Sequence, residues 1–308
     1  MPMNLDLEKL TSKLDRIADV EVRSNEILAP YTSYQIGGPT AVWIAPQTEE
    51  AVGHTLEILH TADIPLFIMG RGSNLLVSDK GWQGVTLYIG ENLSGWTIQE
   101  TDARVMAGTL LTELIRAAVA KGMAGMELMA GIPGSVGGAL RMNAGAFGQE
   151  IESATVSVKG FEFDGSPFEA ERDDIEFSYR QVPALENVVI TSGCFRYTRE
   201  DVAVLEKRMQ DILALRARKQ PLEYPSCGSV FKRPSGYYAG ALIEEAGLKG
   251  KKIGGAMVSE KHAGFILNVH NATATDVYTL ICRIEDSVLE RFGVKLEREV
   301  KLIGEFED

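Results

Sequence analysis

The sequence predicts a two-domain chain that mixes α and β structure, and three observations predict it. Strand, helix, strand units recur through the first two thirds of the chain, a long charged helix interrupts them, and a second set of strands and helices follows. The 308 residues, 45% of them hydrophobic, suffice for two cores of ordinary domain size. Glycine is concentrated in two stretches, "GRGSNLL" from Gly70 and "GIPGSVGGALRMNAGAFG" over 131–148, each fed by a β/α unit.

In chain order, residues 4–18 read as a short amphipathic helix, and a Gly37-Gly38-Pro39 turn leads into a strand over Ala41–Ala45. Thr48 is placed to cap a helix with Glu49 and Glu50 in its first turn and Val52, Leu56 and Leu59 on one face. "IPLFIM" follows as a buried strand that empties into the first glycine stretch. Strands near Val85–Ile89 and Val105–Ala107 precede a helix that faces Leu111, Leu114, Ile115 and Ala118 inward and stops at Gly122. Strands around Ala154–Glu162 and Val188–Tyr197 come after the second glycine stretch. From Arg199 the texture changes to a long charged helix stopped by Pro221, and the domain boundary is placed there, giving domains 1–198 and 199–308. The remainder reads as a strand over 226–234, a helix at "AGALIEEAG", a strand over 262–269, a helix with a Thr273/Asp276 capping box closed by Gly293, and a strand over 294–304. No repeat of fixed period occurs.

Composition narrows the function. The longest apolar runs span only a few residues and the N-terminal segment is charged, so a spanning helix and a secretory leader are not expected, and the protein is expected in the cytoplasm. Three widely spaced cysteines, Cys194, Cys227 and Cys282, offer neither a disulfide framework nor a CxxC metal site. Lys and Arg number 31 against 43 Asp and Glu, and this net charge of −12 argues against nucleic-acid and anionic-membrane partners. The four histidines are scattered, so no metal site is expected. HExxH, GxSxG and GxxxxGK[ST] motifs are absent, which leaves zinc hydrolase, serine hydrolase and nucleotide-triphosphatase readings without an anchor.

The chemistry must then come from a cofactor or from less obvious residues. Six glycines in the eighteen residues of 131–148 imply positive φ angles or close backbone approach to a ligand. Interleaved Ile132, Val136, Leu140 and Met142 are interior residues and exclude a flexible linker. "GRGSNLL" has the makings of an anion nest with Ser73 and Asn74 as side-chain donors. It is no Rossmann fingerprint, because Leu75 stands where the third glycine would be. Two such loops in one domain could grip both ends of a pyrophosphate.

The ordered blocks "YTSYQIGGPT", "GRGSNLLV", "GIPGSVGGALRMNAGAFG", "FSYR", "RARKQPLEYPSCGSVFKRP", "KHAGFILN" and "LEREVKLIG" cover roughly residues 30–304. In them the chain resembles the UDP-N-acetylenolpyruvoylglucosamine reductase family, in its shorter branch without a tyrosine-bearing insertion. The resemblance implies an α+β fold: a two-lobed FAD-binding domain of the vanillyl-alcohol-oxidase type, then a smaller α+β substrate domain. It implies non-covalent FAD, NADPH as reductant, and a UDP-sugar enolpyruvyl ether as substrate in peptidoglycan precursor synthesis, with no obligatory protein partner. No His or Cys lies within residues 1–53 or 61–130 to tether the flavin. FAD would be held by Gly70, Arg71, Gly72, Ser73, Asn74 and Leu75, and by Gly131, Ile132, Pro133, Gly134, Ser135, Gly137, Gly138, Ala139, Asn143 and Gly145.

The resemblance further implies that Ser229 donates a proton, that Arg180 polarises the substrate carboxylate, and that Glu299 assists the developing enol. Lys219, Lys232 and Arg233 would hold the diphosphate against the overall negative charge. Two other readings stand beside this one. A flavin-dependent oxidase of alcohols or hydroxy acids predicts rapid reoxidation by air, and a sugar-nucleotide-binding module predicts a colourless protein.

Overall fold

The computed structural model describes residues 7–62 and 64–307, and the chain divides into two compact units. One comprises the chain through residue 24, 41–71 and 84–214; the other comprises 25–40, 72–83 and residues from 215 onward. These units do not follow a linear cut at 198/199. Two N-terminal segments join the C-terminal part through tertiary contacts, which a linear pattern of residues does not report.

The first unit holds two sheets. Helix α1 (Leu7–Leu14) is shorter than the helix expected over 4–18, of which residues 4–6 lie outside the described residues. Helix α2 (Glu49–Ala62) begins as its cap predicts, with the Thr48 hydroxyl accepting from the Ala51 N–H at 3.1 Å and Val52, Leu56 and Leu59 buried. A four-stranded sheet runs in the order Val20–Ile27, Pro39–Pro46, Trp82–Tyr88, Leu66–Met69. Its last pair is parallel, with Leu66 opposite Val85 and Met69 opposite Tyr88, and the chain between them, 70–81, holds the short strand Leu75–Val77 and no helix. The second sheet has five antiparallel neighbours in the order Pro167–Glu171, Thr155–Glu162, Val188–Arg196, Asp102–Met106, Trp96–Gln99. Helix α3 (Leu111–Ala120) sinks Leu111, Leu114, Ile115 and Ala118 into the core, and Gly122 at φ +67° follows its end. The six-residue helix α4 (Val136–Arg141) lies within the second glycine stretch, and α5 (Val202–Lys219) is the long charged helix.

The second unit has its own core of Tyr34, Ile36, Leu76, Val230, Ile243, Val258, Ile266 and the inner face of helix α7 (Ala274–Phe292). Helix α6 (Ala239–Glu245) and the antiparallel strands Lys252–Ile253, Ala256–Val258 and Ile266–Asn268 complete it. The capping box of Thr273 and Asp276 is present, and Gly293 closes α7 at φ +68°. Two expected strands are much reduced. The strand over 226–234 contributes only isolated bridges, Ser229 to Phe265 and Phe231 to Arg298, and the strand over 294–304 is regular only at Lys301–Ile303. The physical cause is local: the Val230 carbonyl accepts from both Glu299 and Val300 N–H, at 2.8 and 3.2 Å, which breaks the ladder there. Lys301–Ile303 instead pairs in parallel with Leu75–Val77. Among the described residues, no helix is long and apolar enough to cross a membrane.

Candidate active site

Within the first unit, the start of the first glycine stretch, Gly70, meets the second stretch at Ser135. The strand Leu66–Met69 ends at Gly70, where a Cβ would stand 2.7 Å from the Ser135 hydroxyl oxygen. Ser135 is buried and caps α4 by accepting from the Gly138 N–H at 3.3 Å. Gly131 and Gly134 have φ of +82° and +111°, so both use backbone space that side chains disfavour. Gly137 serves packing. Its N–H donates to the Ala107 carbonyl at 2.8 Å, and a Cβ would lie 2.8 Å from that of Ala107.

Several expected ligand residues direct their side chains into the protein. Asn143, buried at φ +43°, donates to Glu150 Oε2 at 2.9 Å and to the Ser178 carbonyl at 3.3 Å. Arg71 is paired with Glu91 at 2.6 Å and reaches the Gly108 carbonyl at 3.4 Å. Burial opposes the charge on Glu91, but the Tyr88 hydroxyl and the Arg71 guanidinium hold its carboxyl below the ordinary value. Gly145 sits in a tight hairpin where a Cβ would come within 2.6 Å of Glu150. Arg180, itself at φ +58°, donates to the Gly145 carbonyl at 2.9 Å and the Asn143 carbonyl at 3.4 Å. The candidate carboxylate ligand is therefore seated on the second glycine stretch. Nothing in sequence spacing links "FSYR" to that stretch.

A flavin dinucleotide fits this donor set. Within the first unit, the N–H groups of Arg71, Gly134 and Ser135 donate to no protein acceptor among the described residues. Such unclaimed backbone donors beside bare glycines suit a pyrophosphate.

Within the second unit, Ser229 and Glu299 come together on neighbouring segments. The Glu299 N–H donates to the carbonyl of Val230, which follows Ser229, and both residues are half-buried. The Ser229 hydroxyl lies beside Gly264, 3.6 Å from where a Cβ would be. The same bare α-carbon faces the ring of His262, whose Nδ1 accepts from the Gly264 N–H at 3.2 Å. Burial holds the His262 pKa below its ordinary value. This neighbour of Ser229 is visible in sequence only as part of "KHAGFILN". Asn268 is structural: it donates to the Tyr34 carbonyl and accepts from Ala272. Burial pushes the Cys227 thiol up to about 12, so it is no nucleophile near neutrality.

Lys232 and Arg233 line one surface depression with Ser235, Tyr237, Lys295 and Glu297. Lys232 is ion-paired with Glu297, and the Arg233 guanidinium lies 4.0 Å over the Tyr238 ring. Lys219, at the end of α5, does not line that depression. Among the described residues, no cluster of His, Cys, Asp and Glu could hold a metal ion.

Comparison with known proteins identifies the family. Residues 40–165 match the model of an FAD binding domain, and residues 220–303 match the UDP-N-acetylenolpyruvoylglucosamine reductase C-terminal domain. The expected α+β fold with a flavoprotein domain is thereby borne out. The chain is 40% identical over 292 residues to the UDP-N-acetylenolpyruvoylglucosamine reductase of Syntrophomonas wolfei, covering 94% of this chain and 98% of the relative. It is 42% identical to that of Listeria innocua, covering 93% and 96%. The crystal structure of the Thermus caldophilus reductase superposes with a TM-score of 0.77 at 32% identity, covering 92% of this chain and 99% of that one. This chain belongs to the UDP-N-acetylenolpyruvoylglucosamine reductase family.

Proposed function

We propose that this protein reduces the enolpyruvyl ether of UDP-N-acetylglucosamine enolpyruvate to UDP-N-acetylmuramate, a step of peptidoglycan precursor synthesis, with FAD as cofactor and NADPH as reductant. The observation that carries the reading is the adjacency of Ser229 and Glu299 across the Glu299 to Val230 hydrogen bond of 2.8 Å, because the reaction needs a proton donor and a carboxyl group together. FAD would be held non-covalently by the amides of the two glycine stretches and, once reduced by hydride from NADPH, would supply that hydride to the vinyl β-carbon. Negative charge then grows on the α-carbon and spreads into the substrate carboxylate.

Each protein group has one role in relieving it. Arg180, anchored on the Gly145 carbonyl, polarises the carboxylate. Glu299 stabilises the enol form, and the Ser229 hydroxyl delivers the proton to the α-carbon. Lys232 and Arg233, with Lys219, hold the diphosphate. Residues 1–198 hold the flavin and contribute Arg180 to the substrate, 199–308 hold the sugar nucleotide, and the use of a UDP-sugar in wall synthesis supports a cytoplasmic enzyme. Anaerobic spectroscopy tests the reading: a flavin band should bleach with NADPH and return when the enolpyruvyl substrate is added. A protein that neither carries nor can be reconstituted with FAD refutes it, and reoxidation only by air would favour an oxidase.

A further inference from the structure

Asn74 lies in the first glycine stretch, and its side chain reaches Glu299. Its Nδ2 donates to the Glu299 carbonyl at 2.9 Å, and its own carbonyl accepts from the Lys301 N–H at 3.0 Å. From there the parallel pairing continues with Leu75 opposite Lys301 and Val77 opposite Ile303. On the other side of the loop, the Gly72 carbonyl accepts from the Ser33 N–H at 3.1 Å, which fixes the loop's entry.

Both peptide groups around the Glu299 α-carbon are thereby held. The preceding one gives its N–H to the Val230 carbonyl, and the following one gives its carbonyl to Asn74 and its N–H, from Val300, to Val230. With those planes fixed, the direction of the Glu299 Cα–Cβ bond is set, and the carboxylate reaches out from a fixed base through its χ rotamers. The group at position 74 must present a hydrogen to the carbonyl: an ionised carboxylate there would set oxygen against oxygen. Immediately before Asn74, the Gly72 and Ser73 N–H groups donate to no protein acceptor among the described residues and suit a pyrophosphate.

We propose that Asn74 is a positioning residue for Glu299, coupling the dinucleotide-binding loop to the carboxylate that acts on substrate. This rests on the reductase reading given above. Asn74 acts through Glu299, so its loss should fall on the substrate half of the reaction.

The test uses the holoenzyme and the variants N74A and N74D. Reduction of the flavin by NADPH and its reoxidation by the enolpyruvyl substrate are timed separately. In N74A, reoxidation should slow about 100-fold, at least ten times more than reduction does. N74A combined with Glu299→Gln should be no slower than Glu299→Gln alone, as expected of two residues acting as one unit. N74D should regain reoxidation rate as pH falls and the introduced carboxyl gains a proton to donate. Equal slowing of both half-reactions, or additive losses in the double variant, overturns the proposal. Amide hydrogen exchange supplies a readout independent of turnover. FAD binding should raise protection of the Glu299 and Val300 amides in the unaltered protein about tenfold and leave them unchanged in N74A. An equal rise in both overturns the proposal even if the enolpyruvyl ether proves not to be the substrate. Should N74A not fold, N74D is read by the same criteria.

Discussion

A Cβ on Gly70 would stand 2.7 Å from the hydroxyl oxygen of Ser135, closer than side-chain atoms are found in folded proteins. That oxygen caps α4, so crowding it also disturbs the Gly138 N–H it accepts from. Gly70→Ala is expected to lower stability by about 1–3 kcal/mol through overpacking. It should also weaken FAD binding, since the donors of both glycine stretches lie beside this contact. Thermal unfolding of the apoprotein and fluorescence titration with FAD measure the two effects separately, and an unchanged melting temperature would contradict the packing argument.

Ser229→Ala removes a hydroxyl beside Gly264 without opening a large cavity. A lost general acid costs about 10²–10⁴-fold in rate. Stopped-flow should find flavin reduction by NADPH near its original rate and reoxidation by the enolpyruvyl substrate reduced by that factor. Normal reoxidation would remove Ser229 from the proton-donor role.

Thr48 and the Thr273/Asp276 pair could be read as helix caps from the sequence because a cap and its N–H partner lie within three residues. Long-range pairing is written less directly. Alternation in "VKLEREVKLIG" reports which side chains face inward, not which strand lies alongside, and the run is regular only where Leu75–Val77 meets it. The glycine stretches were legible as bare backbone, yet the reason for each glycine was not: Gly137 makes room for Ala107, while Gly134 has the unusual φ. Asn74 and Asn143 carry amides that suit a ligand as well as a carbonyl, and only the fold directs them to Glu299, Glu150 and Ser178.

His262 makes stability depend on pH. Burial lowers its folded-state pKa beneath the unfolded imidazole value of about 6.5, and protonating Nδ1 would break the bond from the Gly264 N–H. The unfolded chain therefore binds the proton more readily than the folded one. Its contribution is fully present above the unfolded value and is lost as pH falls from there toward the folded value. Melting temperatures of the unaltered protein should drop between about pH 7 and pH 5 more steeply than those of His262→Asn, whose side chain does not titrate. Parallel curves would show that His262 is not the group responsible.

The start of α7 is capped twice, once by its own Thr273 and once from far away in sequence. Asp79 accepts from the Ala274 N–H at 2.8 Å, the Thr275 N–H at 3.0 Å and the Thr275 hydroxyl at 2.9 Å. A carboxylate at this end of a 19-residue helix also interacts favourably with the positive end of the helix dipole. Asp79 lies 195 residues before Ala274, so no local pattern announces the contact. Because α7 supplies Val277, Leu280, Ile281, Ile284 and Val288 to the second core, fraying at its start reaches the packing. Asp79→Ala should destabilise the protein by about 1–2 kcal/mol, and Asp79→Asn, which keeps one acceptor oxygen but loses the charge, by less. Urea unfolding of the two variants gives the order directly. Equal losses would mean that the charge accounts for the whole effect, and no loss in either would mean that Thr273 alone caps the helix.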